Sequence, residues 1–81
     1  MTRIEIEESV RQFLVEELEI DQEKIVMDAR MKEDIGLDSL DFVDIVVIVD
    51  KKFGFKIMPE EMKGIVTLND FCDYIEKKIT K

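Results

Sequence analysis

One serine in this chain is placed for chemistry. Ser39 lies in Asp38-Ser39-Leu40-Asp41, directly behind Glu33-Asp34-Ile35-Gly36-Leu37, at what the residue types mark as the mouth of a helix. An anionic group esterified to that hydroxyl would sit against the amides of a helix N-terminus, where free N–H groups and the macrodipole favour negative charge. The chemistry suited to such a position is the carriage of a phosphate. Asp38 is a good N-cap, and Asp41, three residues on, can accept in return from the amide of the cap, a short form of the capping box. Gly36 permits a backbone angle closed to other residues, so the chain can turn sharply into the helix, while Ile35 and Leu37 offer apolar anchors on the loop. An isolated Asp-Ser-Leu is more often an ordinary exposed cap, so the weight of this reading rests on the rest of the chain.

Other chemistries are poorly supplied. The sequence has no histidine, which removes Ser-His-Asp and Cys-His nucleophilic systems and makes the usual zinc sites improbable; no catalytic residue and no metal site are expected. Asp28 to Asp44 is acid-rich, but its spacing does not supply the alternating ligands around a central glycine of a calcium-binding EF-hand loop. The lone Cys72 has no partner for an internal disulfide and falls on the stripe Leu68, Phe71, Cys72, Ile75, Ile79, the spacing of one helix face, so it reads as core filler. Twenty acids against twelve bases give a net charge of −8, which opposes nucleic-acid binding and favours basic protein surfaces as partners. No stretch approaches the apolar length of a membrane span and the first residues lack the apolar core of a signal peptide, so a cytoplasmic protein without membrane insertion is expected.

The elements that must position Ser39 follow from periodicity and caps. Eighty-one residues without repeats or linker composition argue a single domain over 1–81, near the size where one core only just suffices. Thr2 with Glu5 forms a capping box, and Ile6, Val10, Phe13, Leu14 and Leu18 recur at helical spacing, predicting a first helix to about Glu17 or Leu18. From Glu19 to Leu37 no period is sustained. A loop of that length in a small domain is uncommon and often functional, and Ile20, Ile25, Met27, Met31, Ile35 and Leu37 are expected to pin it to the bundle, with room for a short helical turn.

The segment Phe42-Val43-Asp44-Ile45-Val46-Val47-Ile48-Val49 is rich in β-branched residues that favour strands. It reads as helix because it has an N-cap, runs without a turn signal, and ends at Phe53-Gly54 with Lys51 and Lys52 in the last turn. A step of about 100° per residue puts Phe42, Ile45, Val46, Val49 and Phe53 on one side, and Leu40, Asp44, Val47 and Lys51 on the other. Leu40 and Val47 are then either scattered surface apolar residues or, the reading favoured by their proximity to Ser39, a partner-binding patch rimmed by Asp41 and Asp50. Pro59 opens a short helix through Glu60-Glu61-Met62-Lys63 that stops near Gly64. Thr67 with Asp70 caps a last helix to about Ile79, on which Asp73 and Lys77 are spaced as an i,i+4 pair. The predicted fold is all-α: a small antiparallel bundle of three main helices plus one short helix, with a long loop between the first two and no sheet.

The run from Glu33 to Asp41, followed by Val43, Asp44, Phe53-Gly54, Pro59, Ile65, Thr67 and Tyr74-Ile75, resembles the acyl carrier proteins of fatty acid and polyketide synthesis over almost the whole chain. The resemblance implies that Ser39 is the attachment point of 4'-phosphopantetheine, donated from coenzyme A by a phosphopantetheinyl transferase with magnesium. It implies transport rather than catalysis, with an acyl group held as a thioester on the arm and passed between acyl-transferring and ketoacyl synthase-type enzymes by a monomeric carrier. It further implies that Phe42, Val46, Met62 and Ile65 line a cavity for the acyl chain, although these residues are equally compatible with plain core. Asp38, Leu40, Asp41, Asp44, Val47 and Asp50, with Glu60 and Glu61, match the positions that meet basic patches on synthases. Departures occur at Lys51 and Lys52, where acids are common, and more mildly at Ile35 for leucine and Phe42 for a smaller residue. Within the same architecture, an aminoacyl, peptidyl or D-alanyl carrier would use the same serine on a different cargo. From another class, an unmodified acidic helical adapter would use the same surface with no prosthetic group.

Overall fold

The computed structural model describes residues 2–79, so the extreme ends of the expected domain, Met1, Thr80 and Lys81, lie outside the described residues. Four α-helices follow one another: α1 (Arg3–Glu16), α2 (Ser39–Phe53), α3 (Pro59–Met62) and α4 (Leu68–Ile79), with a 3₁₀ turn at Gln22–Lys24 in the long loop. Among the described residues there is no strand, only an isolated antiparallel bridge between Arg30 and Thr67. None of the described helices is long and apolar enough to cross a membrane.

Each main helix starts on a reciprocal cap between residues three positions apart. Thr2 Oγ1 accepts from the Glu5 amide at 3.2 Å while Glu5 Oε1 accepts from the Thr2 amide at 2.8 Å. Asp38 and Asp41 exchange the same pair of bonds at 3.0 and 3.1 Å, and Thr67 and Asp70 exchange them at 3.1 Å each. Such boxes satisfy amides that the helix itself leaves without carbonyl partners. At the far end of α2, Gly54 sits at φ +78° and its amide donates to the Asp50 carbonyl. A Cβ there would meet no atom within 4 Å, so any penalty for a side chain comes from the left-handed backbone alone. Gly54→Ala is therefore expected to cost about 1 kcal/mol and lower the melting temperature by about 4–8 °C, as measured by thermal unfolding followed by circular dichroism.

The core is built mainly by α1 and α4. Ile6, Val10, Phe13 and Leu14 of α1 and Leu68, Phe71, Cys72 and Ile75 of α4 are all buried. Arg3 ties the two helices at their edge: its guanidinium bonds Asp73, Glu76 at 3.2 Å and the Asn69 side chain at 2.7 Å, while its Nε meets Glu7 at 2.9 Å. Asp73 thus faces Arg3 from across the bundle rather than serving the i,i+4 pair with Lys77 that its spacing suggested. A guanidinium offers several donors in a fixed fork, which an ammonium does not.

The long loop is held as its apolar residues foretold. Ile25, Met31, Ile35 and Leu37 are buried, and Ile20 and Met27 pack against the core. A second restraint was not legible. Backbone bonds join the loop to the start of α4, from the Met31 amide to the Val66 carbonyl, from Leu68 to Ala29 and from Asn69 to Met27, each at 2.9 Å. Ala29, too small to register as an anchor in the sequence, is buried there.

On α2 the expected inner face is narrower than its periodicity implied. Only Ile45 and Val49 are buried, whereas Phe42, Val46 and Phe53 are half-buried at the margin of the core. The cause lies across from them, where α3 is a single turn with no buried residue and cannot cover the whole of α2.

Candidate functional site

Ser39 is the first residue of α2 and is exposed. Asp38 before it is extended, at φ −112° and ψ −173°, and Gly36 takes φ +88°, the sharp turn required to bring the loop into the helix. The loop is anchored on both sides of that turn. The Ile35 amide donates to the Arg30 carbonyl and the Leu37 amide to the Met31 carbonyl, both at 3.0 Å, and both side chains are buried. Ser39 is therefore presented to solvent from an anchored corner. Its amide and that of Leu40 occupy helix positions that have no carbonyl one turn earlier within the helix, and the dipole there favours a negative group.

The acids around this corner divide by what they do. Asp34 accepts from the Arg30 amide at 2.8 Å and from Arg30 Nε at 3.2 Å, and these bonds, the backbone one first, hold its carboxyl below the usual range. Asp38 and Asp41 complete the helix cap. Asp44 and Asp50 are exposed along α2, as are Leu40, Val43 and Val47 at 77%, 61% and 49% of full exposure, which makes one apolar stripe flanked by acids. Val43 is an addition to the stripe expected from the sequence; it stands one turn beyond Leu40 and could have been found from that spacing. Glu60 is exposed at the start of α3. Glu61 instead turns toward α4, where its carboxylate accepts from the Tyr74 hydroxyl at 2.7 Å and pairs with Lys78 at 3.0 Å. These two contacts, Tyr74 first, lower its pKa.

Beside the corner lies a partly open cavity of about 460 Å³. Phe42, Val43 and Val46 of α2 form one wall, and Ile57, Pro59, Met62 and Lys63 form the other. Ile65 and Val66 close one end and Lys32 and Glu33 of the long loop also contribute. Phe42, Val46, Met62 and Ile65 are thus brought together, in a volume within the range of small-molecule sites. Ile57, Pro59 and Val66 belong to the same lining, but they sit in connections without periodicity, where no sequence signal distinguishes a wall residue from a link.

The chain's own thiol is not part of this site. Cys72 is fully buried on α4, and burial pushes its thiol up to about 11. Among the described residues no group of three or more acids, histidines or cysteines is arranged to hold a metal ion.

A four-helix domain that presents one exposed serine at a helix mouth beside an apolar cleft has the form of a carrier domain. A family model described as "Phosphopantetheine attachment site" matches residues 8–75. Acyl carrier proteins are similar along nearly the full length: that of Thermosynechococcus vestitus is 35% identical over 79 residues, covering 98% of both chains. Those of Buchnera aphidicola subsp. Acyrthosiphon pisum and Thermotoga maritima are 40% and 36% identical, covering 94% and 96% of this chain and 95% and 96% of their own. The chain belongs to the acyl carrier protein family, whose members are carriers and not enzymes.

Proposed function

We propose that Ser39 carries a covalently attached 4'-phosphopantetheine and that the protein ferries acyl groups as thioesters between biosynthetic enzymes. The observation that supports this best is the exposed Ser39 hydroxyl on an anchored helix N-terminus, within the span matched by the phosphopantetheine family model. The site fits the group. The serine oxygen is free to become the ester oxygen of a phosphodiester, the first-turn amides and the dipole favour its negative charge, and the cleft nearby is apolar. When attached, the arm supplies a mobile thiol, which the buried Cys72 cannot. Phe42, Val46, Met62 and Ile65 take up the apolar part of the cargo and remove it from water, a gain of about 0.8 kcal/mol per buried methylene. A phosphopantetheinyl transferase loads the protein in the cytoplasm, and acyl-transferring and ketoacyl synthase-type enzymes then exchange cargo with it.

Intact mass after incubation with coenzyme A, magnesium and a broad-specificity phosphopantetheinyl transferase tests the assignment. A gain of one phosphopantetheine is expected. A folded sample that gains nothing would point to the acidic adapter or to a carrier that needs its own dedicated transferase. Charging the loaded protein with fatty-acid-activating against amino-acid-activating enzymes separates an acyl carrier from an aminoacyl, peptidyl or D-alanyl carrier, and acyl charging is expected because the relatives are named for that cargo.

The docking face is α2. Leu40, Val43 and Val47 offer apolar contact, and Asp38, Asp41, Asp44, Asp50 and Glu60 draw basic partner surfaces, setting encounter rate and partner choice more than final affinity. Lys51 and Lys52, both exposed at the end of this helix, oppose that field. Replacing both with glutamate is expected to raise the association rate with a fatty acid synthase several-fold at low salt, with the gain shrinking as salt is added. Equal rates for the native and Lys51→Glu, Lys52→Glu proteins in a stopped-flow assay would remove these lysines from partner selection.

A further inference from the structure

α3 is too short to hold itself in place. It has four residues, none buried, and Met58 at its N-terminus makes no side-chain cap. A single turn of helix is not stable on its own, because the cost of nucleation is not repaid over so few bonds. Yet Pro59 and Met62 of this turn, with Lys63 behind them, form one wall of the cavity.

What holds the turn is a cluster on α4. The Tyr74 hydroxyl works in both directions: it donates to Glu61 at 2.7 Å and accepts from the Met58 amide at 3.3 Å, so one oxygen grips the turn at its start and in its middle. Lys78 Nζ lies 3.0 Å from the other Glu61 oxygen and 5.5 Å from the centre of the Tyr74 ring. Phe55 fixes the ring from the side, edge-on at 5.9 Å. An exposed ion pair alone contributes little, but here Lys78 and Glu61 are each roughly two-thirds shielded and share a network with the phenol.

We propose that Tyr74 and Lys78 are positioning residues of the cavity: through Glu61 they hold α3 in place as its outer wall and so set how well a cargo is shielded. This rests on the reading of the cavity as the cargo site. It also gives Glu61, which stays exposed, a role within the protein beside the partner contact expected of it. Neither Tyr74 nor Lys78 lines the cavity or lies on the docking face of α2.

The test uses protein carrying phosphopantetheine, loaded with acetyl or octanoyl groups, in native, Tyr74→Phe, Lys78→Gln and Lys78→Arg forms. Two quantities are read: exchange of the Glu61 and Ile65 amides, which donate to the Met58 and Met62 carbonyls within the wall and not to Tyr74, and the rate of thioester cleavage by hydroxylamine. In native protein, octanoyl should be cleaved more slowly than acetyl. Tyr74→Phe and Lys78→Gln should speed exchange at Glu61 and Ile65 by about fivefold and narrow the difference between octanoyl and acetyl, while α1 amides keep native rates and Lys78→Arg stays near native. Unchanged exchange at Glu61 and Ile65 in Tyr74→Phe would overturn the proposal. If native protein shields octanoyl and Tyr74→Phe shields it equally well, the proposal falls and the cavity reading stands. If hydroxylamine cleaves octanoyl and acetyl alike from native protein, the cavity reading fails and the proposal falls with it.

Discussion

Ser39→Ala is expected to abolish phosphopantetheine attachment completely, with no residual mass gain under conditions that fully convert the native protein. Under the proposed assignment the effect is all-or-none, because the serine oxygen would itself be the esterified atom and no neighbouring hydroxyl shares its place: Asp38 and Leu40 flank it, and Cys72 is buried. Stability should hardly change. Ser39 is exposed, and the cap that starts α2 is made by Asp38 and Asp41, both of which survive the substitution. Exposed positions of this kind usually shift stability by less than about 0.5 kcal/mol, so the melting temperature should stay within about 4 °C of native. That pairing of results separates loss of the attachment atom from loss of the fold. A variant that still gained one phosphopantetheine would place the attachment elsewhere, whereas a variant that lost both modification and melting transition would leave the assignment without support.

The largest effect on stability is expected from Phe71→Ala. Phe71 is fully buried on α4 among the α1 side chains, and truncation of a buried phenylalanine removes both its transfer free energy and its packing partners, at a cost of about 3–5 kcal/mol. An 81-residue domain has a total stability of only about 4–12 kcal/mol. The variant should therefore lose a large part of its margin, with its urea midpoint falling by at least about 1 M at unchanged slope, or with no native baseline at all. A smaller fall would mean that the α1–α4 core can collapse into the space. The consequence reaches the site, because the loop before Ser39 is bonded to the start of α4 through Met31, Ala29 and Met27. Attachment by the transferase should fall in proportion to the unfolded fraction, unlike Ser39→Ala, which loses attachment while folded.

Much of this protein is determined within a few residues of chain. The caps at Thr2–Glu5, Asp38–Asp41 and Thr67–Asp70 span four residues each, and Gly54 and Pro59 act on their own backbone angles, so the starts and stops of the helices could be read directly. The same holds for Ser39, whose exposure follows from its place just inside a cap, and for the helical nature of Phe42 to Val49, where the cap and the terminal glycine outweigh β-branched propensity. Even the loop anchors could be recognised, since an apolar residue in an otherwise polar loop has only the core to go to.

Tertiary structure alone decided what joins residues far apart in sequence. Arg3 reaches Asp73 across 70 positions, so the local i,i+4 spacing to Lys77 was a poor guide. The bonds from Met31 to Val66 and from Leu68 to Ala29 use backbone groups, which every residue carries and which leave no mark in residue type. The cavity exists because α3 is too short to cover α2, and its size depends on Phe42, Val46, Met62 and Ile65 coming from three separate segments. Glu61 and Glu60 look alike in sequence and differ only because one of them meets Tyr74 and Lys78. Helix starts, helix stops and the exposure of Ser39 arise from bonds made within one turn, which residue order specifies. The shape of the cleft and the engagement of each charge arise from packing between turns, which it does not.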